Sequence, residues 1–322
     1  MKRILLAAAA VLAATAATAQ NYPARPITMI VPFAAGGPTD IIARIVSEHM
    51  TRTLGQQVIV ENVGGAGGTV GITRAAQAAP DGYTLAMGHM GTHGAAPALY
   101  PNLKYDPAKS FEPVGLAAGT PILIVARKDF PANDLKGFLE QIKASGAKLN
   151  EANAGVGSVS HTTCTLLQHL TQGKFTRVAY RGTGPALNDL VSGQVDFACD
   201  QIVNLVPQIQ AGNIKTFALA MPERSPSLPN VPTTTEAGLP EYQVSAWNAI
   251  FAPKGTSPEI VAKLSDALDK ALDDENVKKR LSELGGTIPD KKARTPAALQ
   301  QLVESEVARW TPILKAAGAT AN

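Results

Sequence analysis

Apolar positions along the chain follow two rhythms that alternate from end to end. Short apolar runs at Ile27–Val31, Val58–Asn62, 83–88, 175–180, 195–199, 216–220 and 244–252 read as strands, with a long one at 114–125. Between them, apolar residues recur every three to four positions at 41–54, 70–78, 135–144, 161–171, 184–192, 202–211, 258–274 and 295–317, which predicts amphipathic helices. Strands alternating with helices imply parallel sheets joined by crossover helices, an α/β chain. A Pro-rich connection at 222–240 is too long for an ordinary loop. The strands near 121–126 and 242–249 bracket the middle third, so the chain is expected to cross twice between two lobes. A hinged pair of lobes needs that arrangement. The predicted division is lobe 1 at 20–124 and 243–322, with lobe 2 inserted at 125–242.

The first helix follows the first strand through the turn Pro32-Phe-Ala-Ala-Gly-Gly37. Small residues there let backbone N–H groups approach a ligand, with the helix dipole behind them. This strand–turn–helix unit is the expected anion-binding lip.

The N-terminal end has the layout of a cleavable export signal. Lys2 and Arg3 precede an apolar run at 4–14, and Ala17-Thr-Ala19 precedes Gln20. The run falls short of the roughly 20 residues of a membrane span. Removing it leaves a chain near neutrality, with no basic footprint for nucleic acid or anionic membrane. The expected product is a soluble periplasmic protein of roughly 300 residues, enough for two domains. Cys164 and Cys199 then sit in an oxidising compartment. One bridge is permitted, and two buried thiols are the slightly preferred reading.

Catalytic chemistry is sparse. His89 and His93 have a helical metal-site spacing, but no acid lies between Asp81 and Asp106 to support an ion. His161 and Cys164 share a helix face without a third orienting group, so polar satisfaction of His161 is the simpler reading. Gly155-Val-Gly-Ser-Val-Ser160 departs from the dinucleotide fingerprint at its third glycine, and no acid follows near Tyr180. A helix-entry turn for a carboxylate uses the same N–H geometry. Asp40 is read as a capping residue. Arg181 is either a carboxylate grip or a surface ion-pair partner. No nucleophile elbow and no zinc-protease motif is present, so an exported hydrolase is the weakest alternative.

The motifs Tyr22-Pro-x-Arg-Pro-Ile27, Val31-Pro-Phe-Ala-Ala-Gly-Gly37 with Asp40 and Ala43-Arg44, Glu61-Asn62 with Gly65-Ala-Gly-Gly68, and Pro80-Asp-Gly-Tyr-Thr-Leu85 occur in order. They are followed by Gly155-x-Gly-Ser158 with His161, Tyr180-Arg-Gly182 with Gly184-Pro-Ala186, and Gly193-Gln-x-Asp196. Together they resemble the Bug-type periplasmic solute-binding proteins of tripartite tricarboxylate transporters, over nearly the whole mature chain. The resemblance implies a type II periplasmic-binding fold of two lobes joined by a two-strand hinge. It also implies capture of a small organic carboxylate between the lobes, delivery to membrane permease subunits, a monomer, and no cofactor or metal. A ligand sensor on the same fold is the alternative use.

Carried over residue by residue, the resemblance implies a first-lobe lip of Phe33, Ala34, Ala35, Gly36 and Gly37, with Thr39 behind it. Gly91 and Thr92, in the segment 88–92, follow the third strand toward the same cleft. The second lobe is expected to contribute Asn153, Gly157 and Ser158 of the segment 153–158, then Tyr180, Gly182 and Thr183, and finally Asp200. The Cys199-Asp200-Gln201 run departs from the usual apolar or aromatic residue before this Asp, and Asp200 there suits a ligand carrying an amino group.

Overall fold

The computed structural model describes residues 22–321, so the expected signal at 1–19 lies outside the described residues. Its strands are β1 (Ile27–Val31), β2 (Val58–Asn62), β3 (Thr84–His89), β4 (Phe111–Arg127), β5 (Asn150–Asn153), β6 (Thr176–Ala179), β7 (Phe197–Gln201), β8 (Ile214–Leu219) and β9 (Ser245–Pro253). The α-helices are α1 (Pro38–Leu54), α2 (Thr69–Ala76), α3 (Ala96–Leu99), α4 (Leu135–Ser145), α5 (Val159–Thr171), α6 (Thr183–Val191), α7 (Ile202–Gln210), α8 (Pro258–Asp273), α9 (Glu275–Glu283) and α10 (Pro296–Ala316). Among the described residues, no helix is long and apolar enough to cross a membrane.

The strands hydrogen-bond in the order β2-β1-β3-β9-β4-β7-β5-β6, with β8 on the other edge of β4. Neighbours β2, β1 and β3 are parallel, as the βαβ rhythm requires, and so are β7, β5 and β6. β4 and β9 run antiparallel to their partners and stitch the two parallel sets together.

β4 takes part in both sets of strands. Its first part pairs with β9 as far as Pro121↔Ser245, and its second part pairs with β7 from Ile122↔Gln201 onward. Proline donates no backbone hydrogen bond, and here it sits where one ladder ends and the next begins. On the neighbouring segment, Val244 N–H donates to the Ala220 carbonyl just before β9 joins the other sheet. The chain therefore changes sheets at 121/122 and 244/245, side by side.

Each sheet is covered by the apolar faces of its crossover helices. Met29 and Val31 of β1 pack with Ile42, Val46 and Met50 of α1, all wholly buried. Phe138, Phe197 and Phe217 form an aromatic knot in the other half, with Phe138 and Phe217 stacked at 4.7 Å. The C-terminal helix α10 is pinned by Glu306, whose Oε2 accepts the indole N–H of both Trp247 and Trp310 at 3.1 Å.

A helical or irregular stretch is expected after the third strand, whereas no separate helix is expected between 274 and 295. The segment after β3 forms a buried π-type turn at Met90–Ala95, and a separate helix, α9, follows α8. Asp274 stops α8 in an extended conformation and caps α9 by accepting from the N–H groups of Asn276 and Val277. The cysteines are bridged: Cys164 of α5 and Cys199 of β7 form a disulfide across a Cα–Cα distance of 5.3 Å. The two-thiol reading and the thiol-nucleophile reading both fall with it.

Candidate functional site

A narrow, half-open cleft lies between the two sheets, lined by Phe33, Gly37, Pro38, Thr39, Asp40, His89, Ala154, Ser158, Val159, Ser160, Thr183, Asp200 and Gln201. Most of these belong to the first turns of three helices. Gly37 caps α1, Ser158 caps α5, and Thr183 opens α6 behind Gly182. A helix start leaves its first N–H groups without intrahelical acceptors and carries the positive end of the macrodipole. Three such ends meeting in one cleft suit an anion. No Lys or Arg is among the lining residues.

Asp40 lines the cavity but is occupied. Its carboxylate accepts from Gly36 N–H at 3.0 Å, from Asn62 at 2.9 Å and from Arg44 at 3.0–3.1 Å. Burial opposes its ionisation, but these bonds win and hold its pKa below the usual range.

His89 forms a further wall. Its Nδ1 accepts from the N–H groups of Gly91 at 2.8 Å and Thr92 at 3.2 Å, and its ring stacks on Phe33 at 4.9 Å. Burial depresses its pKa to about 3, so the ring is neutral. With Nδ1 accepting, the proton resides on Nε2, which makes that edge a donor. His93 has a different place, stacked on Phe251 at 4.0 Å within the core.

Opposite lies Asp200, only 3% exposed. Its Oδ2 accepts from Asn204 at 3.2 Å, and Oδ1 has no partner among the described residues. Burial pushes its pKa up to about 7, against the pull of neighbouring Gln201, Asn204 and Thr183. Gln201 turns its Oε1 onto Thr120 at 2.7 Å and Asn248 at 3.1 Å, and Asn248 in turn accepts from Thr39 at 3.0 Å. This chain of side chains joins the wall of one sheet to the wall of the other.

Of the expected ligand residues, Phe33, Gly37, Thr39, Ser158, Thr183 and Asp200 line the cavity. The rest do not. Ala35 and Gly36 face solvent, and the Gly36 N–H is taken by Asp40. Ala34 closes the rim, its N–H donating to the Arg181 carbonyl at 3.1 Å, and Gly182 packs directly under it. Gly91 and Thr92 spend their N–H groups on His89. Asn153 bonds Glu151 and the Gly155 N–H. The Gly157 N–H points to His161, and the Tyr180 hydroxyl donates to Asp189 at 2.6 Å. Ser158 lines the cavity while its hydroxyl accepts from the His161 N–H as a helix cap. Arg181 is exposed, and only its carbonyl contributes to the rim.

His89 and Ala154 fall within the segments 88–92 and 153–158 expected to face the cleft; the lining residues outside those expectations are Val159, Ser160 and Gln201, with Pro38 and Asp40 as further walls. A signal existed for three of them. Val159 and Ser160 are the first positions after a helix cap, and Gln201 follows Asp200.

The family profile of the tripartite tricarboxylate transporter family receptor matches residues 42–319. A protein from the TAR-I ttuE-ttuC' intergenic region of Agrobacterium vitis is 43% identical over 98% of this chain and 90% of its own length. BugT of Bordetella pertussis is 33% identical over 94% of this chain and 92% of its own. Among solved structures, MatC of Rhodopseudomonas palustris with bound malate is 50% identical, with a TM-score of 0.89 over 91% of this chain and 100% of that one. The periplasmic binding protein BugD is 43% identical, with a TM-score of 0.90 over 93% of this chain and 100% of that one. A further R. palustris protein, solved with adipate, is 32% identical, with a TM-score of 0.88 over 93% of this chain and all of its own. Three helix starts around one cleft, in a fold shared over nearly the whole chain with these proteins, lead to one conclusion: this chain belongs to the tripartite tricarboxylate transporter family of periplasmic solute-binding receptors.

Proposed function

We propose that the protein captures a small organic carboxylate in the periplasm and presents it to the permease subunits of a tripartite transporter. It is a monomeric receptor and not an enzyme. The observation that carries this reading is the convergence of three helix N-termini on a cavity without a Lys or Arg wall. An anion there is held by backbone N–H groups at the starts of α1, α5 and α6, with the Nε2–H of His89. Each bond to a charged group contributes about 1.5–3 kcal/mol. Malate and adipate bound to two relatives are small organic carboxylates.

The lobes in this reading are residues 20–124 with 243–322, and 125–242, hinged where β4 and the segment before β9 change sheets. Rim contacts such as Ala34 N–H to Arg181 carbonyl form on closure. The test is thermal denaturation of the mature protein against mono-, di- and tricarboxylates. A ligand at 100 times its Kd adds about 2.7 kcal/mol of apparent stability. A melting temperature unmoved by every carboxylate at millimolar concentration would sink the proposal.

A further inference from the structure

The cavity is rich in donors. Helix N–H groups and the Nε2–H of His89 offer hydrogen to a ligand, while the Thr39 hydroxyl is spent on Asn248. Gln201 adds to them, because its carbonyl oxygen is consumed by Thr120 and Asn248 and its amide N–H groups are left over. A carboxylate satisfies such groups and brings only acceptors.

Two acids stand among the lining residues, and they differ. Both Asp40 oxygens are occupied by Gly36, Arg44 and Asn62. Asp200 is 3% exposed and has an Oδ1 with no partner among the described residues. A buried carboxylate oxygen without a donor carries a desolvation cost that a matching ligand group removes. An anionic ligand made only of acceptors leaves that cost in place and adds repulsion.

We propose that Asp200 is a specificity-determining residue that accepts a hydrogen bond from an N–H or O–H group beside the ligand's carboxylate, so that the pocket prefers amino- or hydroxy-substituted dicarboxylates over unsubstituted ones. This inference rests on the carboxylate reading of the site and names the class of ligand within it. Its elevated pKa of about 7, caused by burial, fits an acid awaiting a donor. The physical basis of selection is asymmetric: a site built to bond a substituent rejects the analogue lacking it more strongly than it rewards extra apolar surface.

The experiment is titration calorimetry of the mature chain at fixed pH with two matched series, succinate, malate and aspartate, then glutarate, 2-hydroxyglutarate and glutamate. The expected result is that a substituted member binds at least about tenfold more tightly than the unsubstituted member of its series. In Asp200→Leu that ratio should fall below about threefold, melting temperature serving as the check on folding. Asp200→Asn separates the two donors: the amide oxygen still accepts from a hydroxyl, so a hydroxy-acid preference survives, whereas an ammonium preference loses the ion pair and collapses. Equal or tighter binding of succinate and glutarate by the wild type overturns the inference and leaves the carboxylate reading standing, and this ranking needs no variant. A substituent preference that persists in both Asp200 variants overturns it as well. If no member of either series binds the wild type, the inference falls, and the broader carboxylate panel then decides whether the reading of the site falls with it.

Discussion

Glu151 and Asp200 are buried acids facing the same interior, and burial pushes their pKa values up to about 8 and about 7. In the unfolded chain both ionise near pH 4. The folded state therefore keeps protons that the unfolded state has released. Their contribution is fully present below the unfolded pKa and is lost as pH rises through 7 to 8, by about 1.4 kcal/mol per pH unit per proton. His89 and His161 act in the opposite sense. Burial holds both near 3, so the stability they lend is present above about 6.5 and is lost as pH falls toward 3. Between about pH 4.5 and 6.5 the two pairs offset each other, so the stability of the ligand-free protein is expected to be level there and to fall as pH rises through 7 to 8. Glu151→Gln should flatten the alkaline decline, measured as urea midpoints between pH 6.5 and 8.5. An unchanged slope in that variant would show that Glu151 is not the group responsible.

His89→Phe isolates a second residue-scale effect. Phenylalanine keeps the stack on Phe33 but abandons the N–H groups of Gly91 and Thr92. Each buried orphan donor costs about 1–3 kcal/mol, so a melting temperature lowered by several degrees is expected. A melting temperature equal to wild type would mean that those N–H groups find water instead.

At the scale of elements, the disulfide joins the helix whose first turn lines the cavity to the strand that carries Asp200. Thr163 of the same helix also donates to the Cys199 carbonyl at 3.0 Å. Bridging residues 35 apart restricts the unfolded chain by about 3–4 kcal/mol in the loop-entropy description. Cys164→Ala with Cys199→Ala should therefore shift the urea midpoint downward, and wild-type protein under reductant should approach the same value. A midpoint insensitive to both treatments would show that the bridge adds nothing to stability.

For the whole molecule, the decisive contacts are those between loops of the two sheets. A Cβ at Gly67 would lie 1.8 Å from the Val156 carbonyl oxygen, and Tyr100 donates to the same oxygen at 2.6 Å. Gly67 also has a φ of +60°, where a side chain adds strain. In the hinged-lobe reading, Gly67→Ala should weaken carboxylate binding by at least about tenfold, since closure and binding share one free energy. Scattering should then show that saturating ligand compacts the wild type more than the variant. Equal affinity and equal compaction would remove these loops from the closure mechanism.

Much of the architecture was legible because hydrophobic period is a local property. The strand at Ile27–Val31 and the helix after it can be read from side chains a few residues apart, as can the strand at Val58–Asn62. The family was legible for a related reason: glycine-rich turns at fixed places constrain backbone, and their order along the chain persists. The helix starts could be located as well, because Gly37, Ser158 and Gly182 announce them.

The sequence by itself thus determined the alternation of strands and helices, the turns that precede helix N-termini, and the absence of a cationic or catalytic cluster in those turns. It could not determine which N–H groups remain free, because that depends on side chains arriving from elsewhere. Asp40 takes the Gly36 N–H and His89 takes those of Gly91 and Thr92, bonds that no periodicity encodes. Nor could it pair Cys164 with Cys199 or leave one oxygen of Asp200 without a partner, since both follow from how α5 lies on β7. Local pattern sets what each segment can be. Packing between segments decides which of its polar groups are spent on the fold and which are left for a ligand.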